Sequence, residues 1–151
     1  MPELVDLDGW VTPPDPGRLA TCHCDVNVEN VRRRQGGGIA VLDWENSGPA
    51  QPERQRAAIL ADLAADLSLT EATAAYHAYR RTDGPATVSE PADFSTAIAV
   101  QGHLLRFYAD RALDHRQPAE DRTRARRRLA RMLNPPLTTA GISQLLDALH
   151  A

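Results

Sequence analysis

Apolar residues recur at helical spacing through the later two thirds of the chain; in the first third they fall in short runs broken by glycine and proline. Ile59, Leu60, Leu63 and Leu67 follow Pro52, a residue suited to a first helical turn. Ser68-Leu-Thr-Glu71 has the form of a capping box and opens a helix carrying Ala75, Tyr76 and Tyr79, which stops near Gly84-Pro85. A long helix is predicted over residues 91–115, burying Phe94, Ile98, Leu105, Tyr108 and Leu113. The next begins at Pro118 and ends before Pro135-Pro136, with Leu129, Met132 and Leu133 on its buried side. The last, over residues 139–149, sets Ile142, Leu145, Leu146 and Leu149 along one face.

The first third reads differently. Residues 1–18 are acidic and then proline-rich, a lead-in ending in a turn. Residues 19–22 form a short apolar strand. Runs at 30–33 and 38–42 flank Gly36-Gly-Gly38, the signature of a hairpin. Asn30 then opens one strand and Asp43 follows the other, so both reach the same end of the hairpin. The expected fold is α+β and mainly helical: one small β-hairpin followed by about five helices, with no internal repeat.

With 151 residues, 42% of them hydrophobic, one domain with a single core is expected. The net charge of −3 gives no overall reason to expect nucleic-acid binding. No apolar run approaches the roughly 18 residues of a membrane-spanning helix. The opening Met-Pro-Glu-Leu-Val-Asp lacks a signal-peptide pattern, so a cytoplasmic setting is expected. Cys22 and Cys24 flank His23; with no fourth ligand they do not make a closed zinc site, and buried reduced thiols are expected.

The chemistry concentrates in Cys22-His-Cys-Asp-Val-Asn-Val-Glu-Asn30 and Val41-Leu-Asp-Trp-Glu45. The first holds His-x-Asp-x-x-x-x-Asn as His23, Asp25 and Asn30; the second puts Asp43 at the end of an apolar run. Singly, Asp25 could cap a turn, Asn30 could end a strand and Asp43 could be a solvated strand end. Jointly they form the phosphoryl-transfer layout of a base followed by an amide and a carboxylate ligand for Mg²⁺. Mg²⁺ takes hard oxygen donors, which these are.

These residues resemble the aminoglycoside phosphotransferase family of small-molecule kinases, relatives of the protein kinases. That family reads His-Gly-Asp-x-x-x-x-Asn, a hairpin, then Ile-Asp-Trp-Glu and a Gly-Pro turn. The matching text here is His23-Cys-Asp25 through Asn30, Leu42-Asp-Trp-Glu45, Ser47-Gly-Pro49 and Pro52. The resemblance implies Asp25 as catalytic base, Asn30 and Asp43 as Mg²⁺ ligands, and His23 as a structural residue of the catalytic loop. It implies ATP as phosphoryl donor and a small-molecule hydroxyl as acceptor. It implies a domain over 19–151 like that family's C-terminal lobe, with catalytic loop and hairpin at 19–45 and a helical part at 52–149. Two positions depart from the pattern. Cys24 stands where the family has glycine, and Gln55 where an acidic residue is common.

The family's N-terminal lobe supplies a loop over the phosphates and a strand lysine. Only 22 residues precede His23 here, too few for that lobe, and all 17 basic residues are arginine. The expectation is therefore a lobe without its partner: a truncated product, half of a split enzyme or a decayed copy. It would meet a separate lobe or associate with itself through an apolar face near Leu19, Val41 and Trp44. The alternative is a non-catalytic binding module. Its nucleic-acid version uses the arginine block at 122, 124, 126, 127, 128 and 131 together with the last helix; Pro135-Pro136 argues against the tight turn it needs. Asp62, Asp66 and Glu71 could offer an acidic patch to a cationic substrate.

Overall fold

The computed structural model describes residues 6–133 and 137–151. Pro135 and Pro136, expected just beyond the fourth helix, lie outside the described residues, as do the first five of the lead-in. The architecture is mainly helical α+β, as the pattern predicts. Four three-residue strands come first: β1 (Ala20–Cys22), β2 (Val31–Arg33), β3 (Ile39–Val41) and β4 (Gly48–Ala50). Five helices follow: α1 (Pro52–Asp66), α2 (Leu69–Arg81), α3 (Ser95–Leu113), α4 (Ala119–Met132) and α5 (Thr139–His150).

The expected hairpin is β2–β3, antiparallel, pairing Val31 with Val41 and Arg33 with Ile39. Its turn works because Gly37 and Gly38 take φ of 89° and 79°, a region open to glycine at little cost. A second pairing was not expected: β1 runs antiparallel to β4, with Thr21 opposite Pro49. β4 has no alternating apolar pattern of its own and contains a proline, so only its long-range partner makes it a strand.

The core lies among α1, α2, α5 and the 3-10 turn Pro91–Phe94 that leads into α3. Phe94, Val88, Ile142 and Leu7 are its most enclosed large side chains, joined by Leu60, Tyr76, Leu145 and Leu149. Serine and glutamate deliver the capping box at α2: Ser68 Oγ accepts from Glu71 N–H and Glu71 Oε2 accepts from Ser68 N–H. The segment after α2 is pinned by tyrosines, since Tyr79 OH accepts from Ala86 N–H and Tyr76 OH from Val88 N–H. The Tyr79 ring lies so close over Gly84 that a Cβ there would collide with it.

The lead-in is more tightly joined to the domain than its composition suggested. Leu7 sits in the core. Arg54 of α1 donates to Thr12 and Pro13 carbonyls, and Asp15 N–H donates to Gln51 Oε1. One expected buried position is corrected: Leu113 ends α3 in solvent at 71% exposure, because packing stops short of it. Leu67 and Ala75 are exposed as well. The expected helix over 91–115 starts with a 3-10 turn, and its α-helical part ends at Leu113.

Candidate active site

The residues between Cys22 and Val31 leave β1 and return through β2. Cys22 ends β1 buried; His23 follows, 4% exposed. Its Nδ1 accepts the Asp25 N–H at 3.3 Å, so the proton sits on Nε2, which donates to the Leu42 carbonyl at 2.7 Å. The edge of its ring contacts Trp44, with centroids 4.7 Å apart. His23 thus clamps the loop bearing Asp25 to the residue immediately before Asp43.

The Asp25 carboxylate is oriented by two amides. Asn27 Nδ2 donates to Oδ1 at 3.0 Å, and Asn30 Nδ2 donates to Oδ2 at 3.1 Å and to the Asp25 carbonyl at 2.9 Å. Asn30 therefore spends its NH₂ on Asp25, and its Oδ1 takes no hydrogen bond among the described residues. Asn27 was missed in the sequence. Its Oδ1 accepts from the N–H groups of Glu29 and Asn30, capping the 3-10 turn Val28–Asn30, while its NH₂ holds Asp25. The readable signal was an Asn two residues after Asp25, at an Asx-turn position.

Asn30 and Asp43 flank the same end of the β2–β3 ladder, where Leu42 N–H donates to the Asn30 carbonyl at 2.8 Å. Asp43 has φ 61° and ψ 63°, a left-handed conformation, and makes no side-chain cap bond with the turn Trp44–Asn46 after it. A non-glycine residue held there costs about 1–3 kcal/mol, and such residues cluster at working sites. An amide oxygen and a carboxylate are donor types that a hard divalent cation takes. Among the described residues no group of three or more His, Cys, Asp or Glu side chains could hold a metal ion.

Cys24 explains a departure noted in the sequence. Its φ is 64°, so the loop turns left-handed at the position where glycine would be unstrained. The side chain escapes crowding by pointing outward, with Sγ near the carbonyl of Cys22. Of the two thiols only Cys22 is buried, and burial pushes its pKa up, with Cys24 adding to the shift.

Asp62, near the end of α1, stands close enough to the loop to feel it. Its pKa is raised, first by the surrounding protein and then by the charges of Asp66 and Asp25. Glu71 does not join this patch, because its carboxylate is taken up by Ser68, whose hydroxyl and N–H hold its pKa low. Leu19, Ile39, Leu42 and Trp44 are exposed around the strands, Ile39 at 68% and Trp44 at 56%, while Val41 is half-buried. α5 turns Ile142, Leu145, Leu146 and Leu149 into the core against α2, while α4 packs chiefly on α3. No helix among the described residues is long and apolar enough to cross a membrane. Compared with protein-family models, with curated proteins and with solved structures, the chain matches none.

Proposed function

We propose that this chain carries the acceptor-activating and metal-binding half of an ATP-dependent small-molecule phosphotransferase with a protein-kinase-like C-terminal lobe. The observation that supports it most is the Asp25–Asn30 hydrogen-bonded pair, clamped by His23 to the backbone just before a left-handed Asp43. In this reading the acceptor hydroxyl sits against the Asp25 carboxylate. The hydroxyl oxygen attacks the γ-phosphorus, the bond from that phosphorus to the bridging oxygen breaks, ADP leaves, and the hydroxyl proton ends on Asp25. Asn27 and Asn30 keep the carboxylate aimed through this exchange. Mg²⁺, when bound by Asn30 Oδ1 and the Asp43 carboxylate, neutralises phosphate charge. Use of ATP accords with a cytoplasmic setting.

The 151 residues contain no lysine, and no glycine-rich loop precedes His23. Cover for the nucleotide comes in this reading from outside these 151 residues, seated over the exposed Leu19, Leu42 and Trp44. The chain alone is then a poor kinase, since the phosphates lack a charge-assisted contact worth about 1.5–3 kcal/mol.

A Mn²⁺ titration of wild type, Asp43→Asn and Asp25→Ala tests the assignment. Weak binding is expected in wild type, loss in Asp43→Asn, which keeps the side-chain shape but not the charge, and near-normal binding in Asp25→Ala. With a covering lobe supplied, Asp25→Ala should lower the rate by about 10²–10⁴. Equal Mn²⁺ binding by wild type and Asp43→Asn would remove the metal site, and the proposal with it.

A further inference from the structure

The net charge of −3 hides a sharp segregation. Residues 1–94 carry fifteen carboxylates against eight arginines, whereas residues 95–133 carry nine arginines against four carboxylates. That basic part is the α3–α4 hairpin, whose second helix packs chiefly on the first. Ala125 is the buried contact of α4, with Leu129 and Met132 half-buried beside it, so most of its arginines face out.

We propose that the groove between α3 and α4 binds single-stranded nucleic acid, with a base stacked at Phe107 and phosphates on Arg111, Arg124 and Arg128. The groove encloses about 280 Å³ between Phe107, Tyr108 and Arg111 of α3 and Asp121, Arg124 and Arg128 of α4. Phe107 is 42% exposed, an unusual position for a phenyl ring on a charged surface. The Arg111 guanidinium lies 5.5 Å from its ring centroid, and Tyr108 meets it edge-on at 5.2 Å.

Charge decides the ligand class. Asp121 is the one carboxylate in the groove lining, and it stands 3.8 Å from Arg124. Arg111 and Arg128 have no carboxylate within ion-pair distance among the described residues. Arg124, Arg128 and Arg131 follow one side of α4 at four- and three-residue steps, spanning about 10 Å of helix. A row of cations beside an exposed ring suits a strand whose bases are free to stack and whose phosphates track the groove. A duplex hides its base faces, and an acidic peptide leaves the ring unused. The site uses no residue of the catalytic loop, so it stands or falls apart from the phosphotransferase reading.

Fluorescence anisotropy of a short labelled oligothymidylate with the intact chain, at about 50 mM and about 200 mM salt, tests it. Wild type should bind, with a salt slope of about −0.7 for each phosphate neutralised. Phe107→Ala should weaken binding by about 5- to 100-fold without changing that slope, and Phe107→Trp should restore it. Arg128→Ala should weaken binding and flatten the slope by about 0.7. Absence of binding by wild type at the lower salt overturns the proposal. So does Phe107→Ala binding like wild type, or a duplex of the same length binding as tightly, since each shows only generic attraction to a polyanion. Thermal melts of the three variants should match wild type; if Phe107→Ala alone is destabilised, Phe107→Trp and Arg128→Ala still decide between these outcomes.

Discussion

Residues 19–50 and residues 52–150 are built on opposite principles. The strand and loop region has three-residue strands and exposed apolar side chains, and its shape comes from hydrogen bonds: His23 to Leu42, Asn30 to Asp25, Asn27 to its own turn. It also holds two of the three left-handed non-glycine residues among the described residues, Cys24 and Asp43. The helical region holds the enclosed core, Phe94 and Ile142 among it, and its polar details are mostly ordinary caps. Isolated two-stranded ribbons are marginal in water. The loop region keeps its geometry because β1 and the lead-in are fastened to the helical part, through α1 and Arg54. Strain and polar placement are carried where chemistry is proposed, and stability resides elsewhere.

The largest effect should come from the helical side of that comparison. Phe94→Ala empties the centre of the core and should lower unfolding stability by about 3–5 kcal/mol in urea melts. His23→Ala, on the loop side, removes a clamp of two hydrogen bonds and should cost about 1–3 kcal/mol. If His23→Ala proves the more damaging, stability is not concentrated in the helices as argued.

A smaller effect of opposite sign probes the strained loop. Cys24→Gly relieves a left-handed residue and should stabilise the chain by about 0.5–1 kcal/mol, offset in part by the entropy glycine loses on folding. Thermal melting would show a rise of a few degrees. A fall would mean that the Cys24 side chain holds the loop through contacts worth more than the strain.

The smallest effect concerns the one acid raised at the boundary of the two regions. Asp62 has a folded-state pKa above its ordinary value, so its ionised form is disfavoured in the folded chain. Stability is then fully present below the unfolded pKa and is lost as pH rises through the raised folded one. Asp62→Asn should therefore stabilise at pH 7 by about 0.5 kcal/mol or less, and the gain should vanish as pH falls towards 4. Melts across that range decide it; a gain that grows on acidification reverses the sign and removes Asp62 from the neighbourhood of Asp25 and Asp66.

How much of this was legible depends on how local each signal is. Helix spacing, the Ser68–Glu71 box and the glycine turn are short-range, and all three formed as read. Asp25, Asn30 and Asp43 were singled out by residue type at fixed spacing, and of that reading the ladder bears out that Asn30 and Asp43 lie at one end of the hairpin. β4 was invisible, because its partner β1 is 28 residues away and nothing within Gly48–Ala50 favours a strand. Leu113 was misread as buried, because periodicity tells which side of a helix is apolar but not where packing against it ends.

By itself the sequence determined the helices, the hairpin and the kinds of side chain available for chemistry, since these follow from backbone preference and spacing along one segment. Tertiary structure decided the rest. It set Cys24 and Asp43 in left-handed conformations, gave both hydrogens of the Asn30 amide to Asp25, and set Asp62 where the Asp25 charge helps to raise its pKa. Each depends on contacts between segments distant in sequence or on the shape of a closed loop, and no local pattern encodes those.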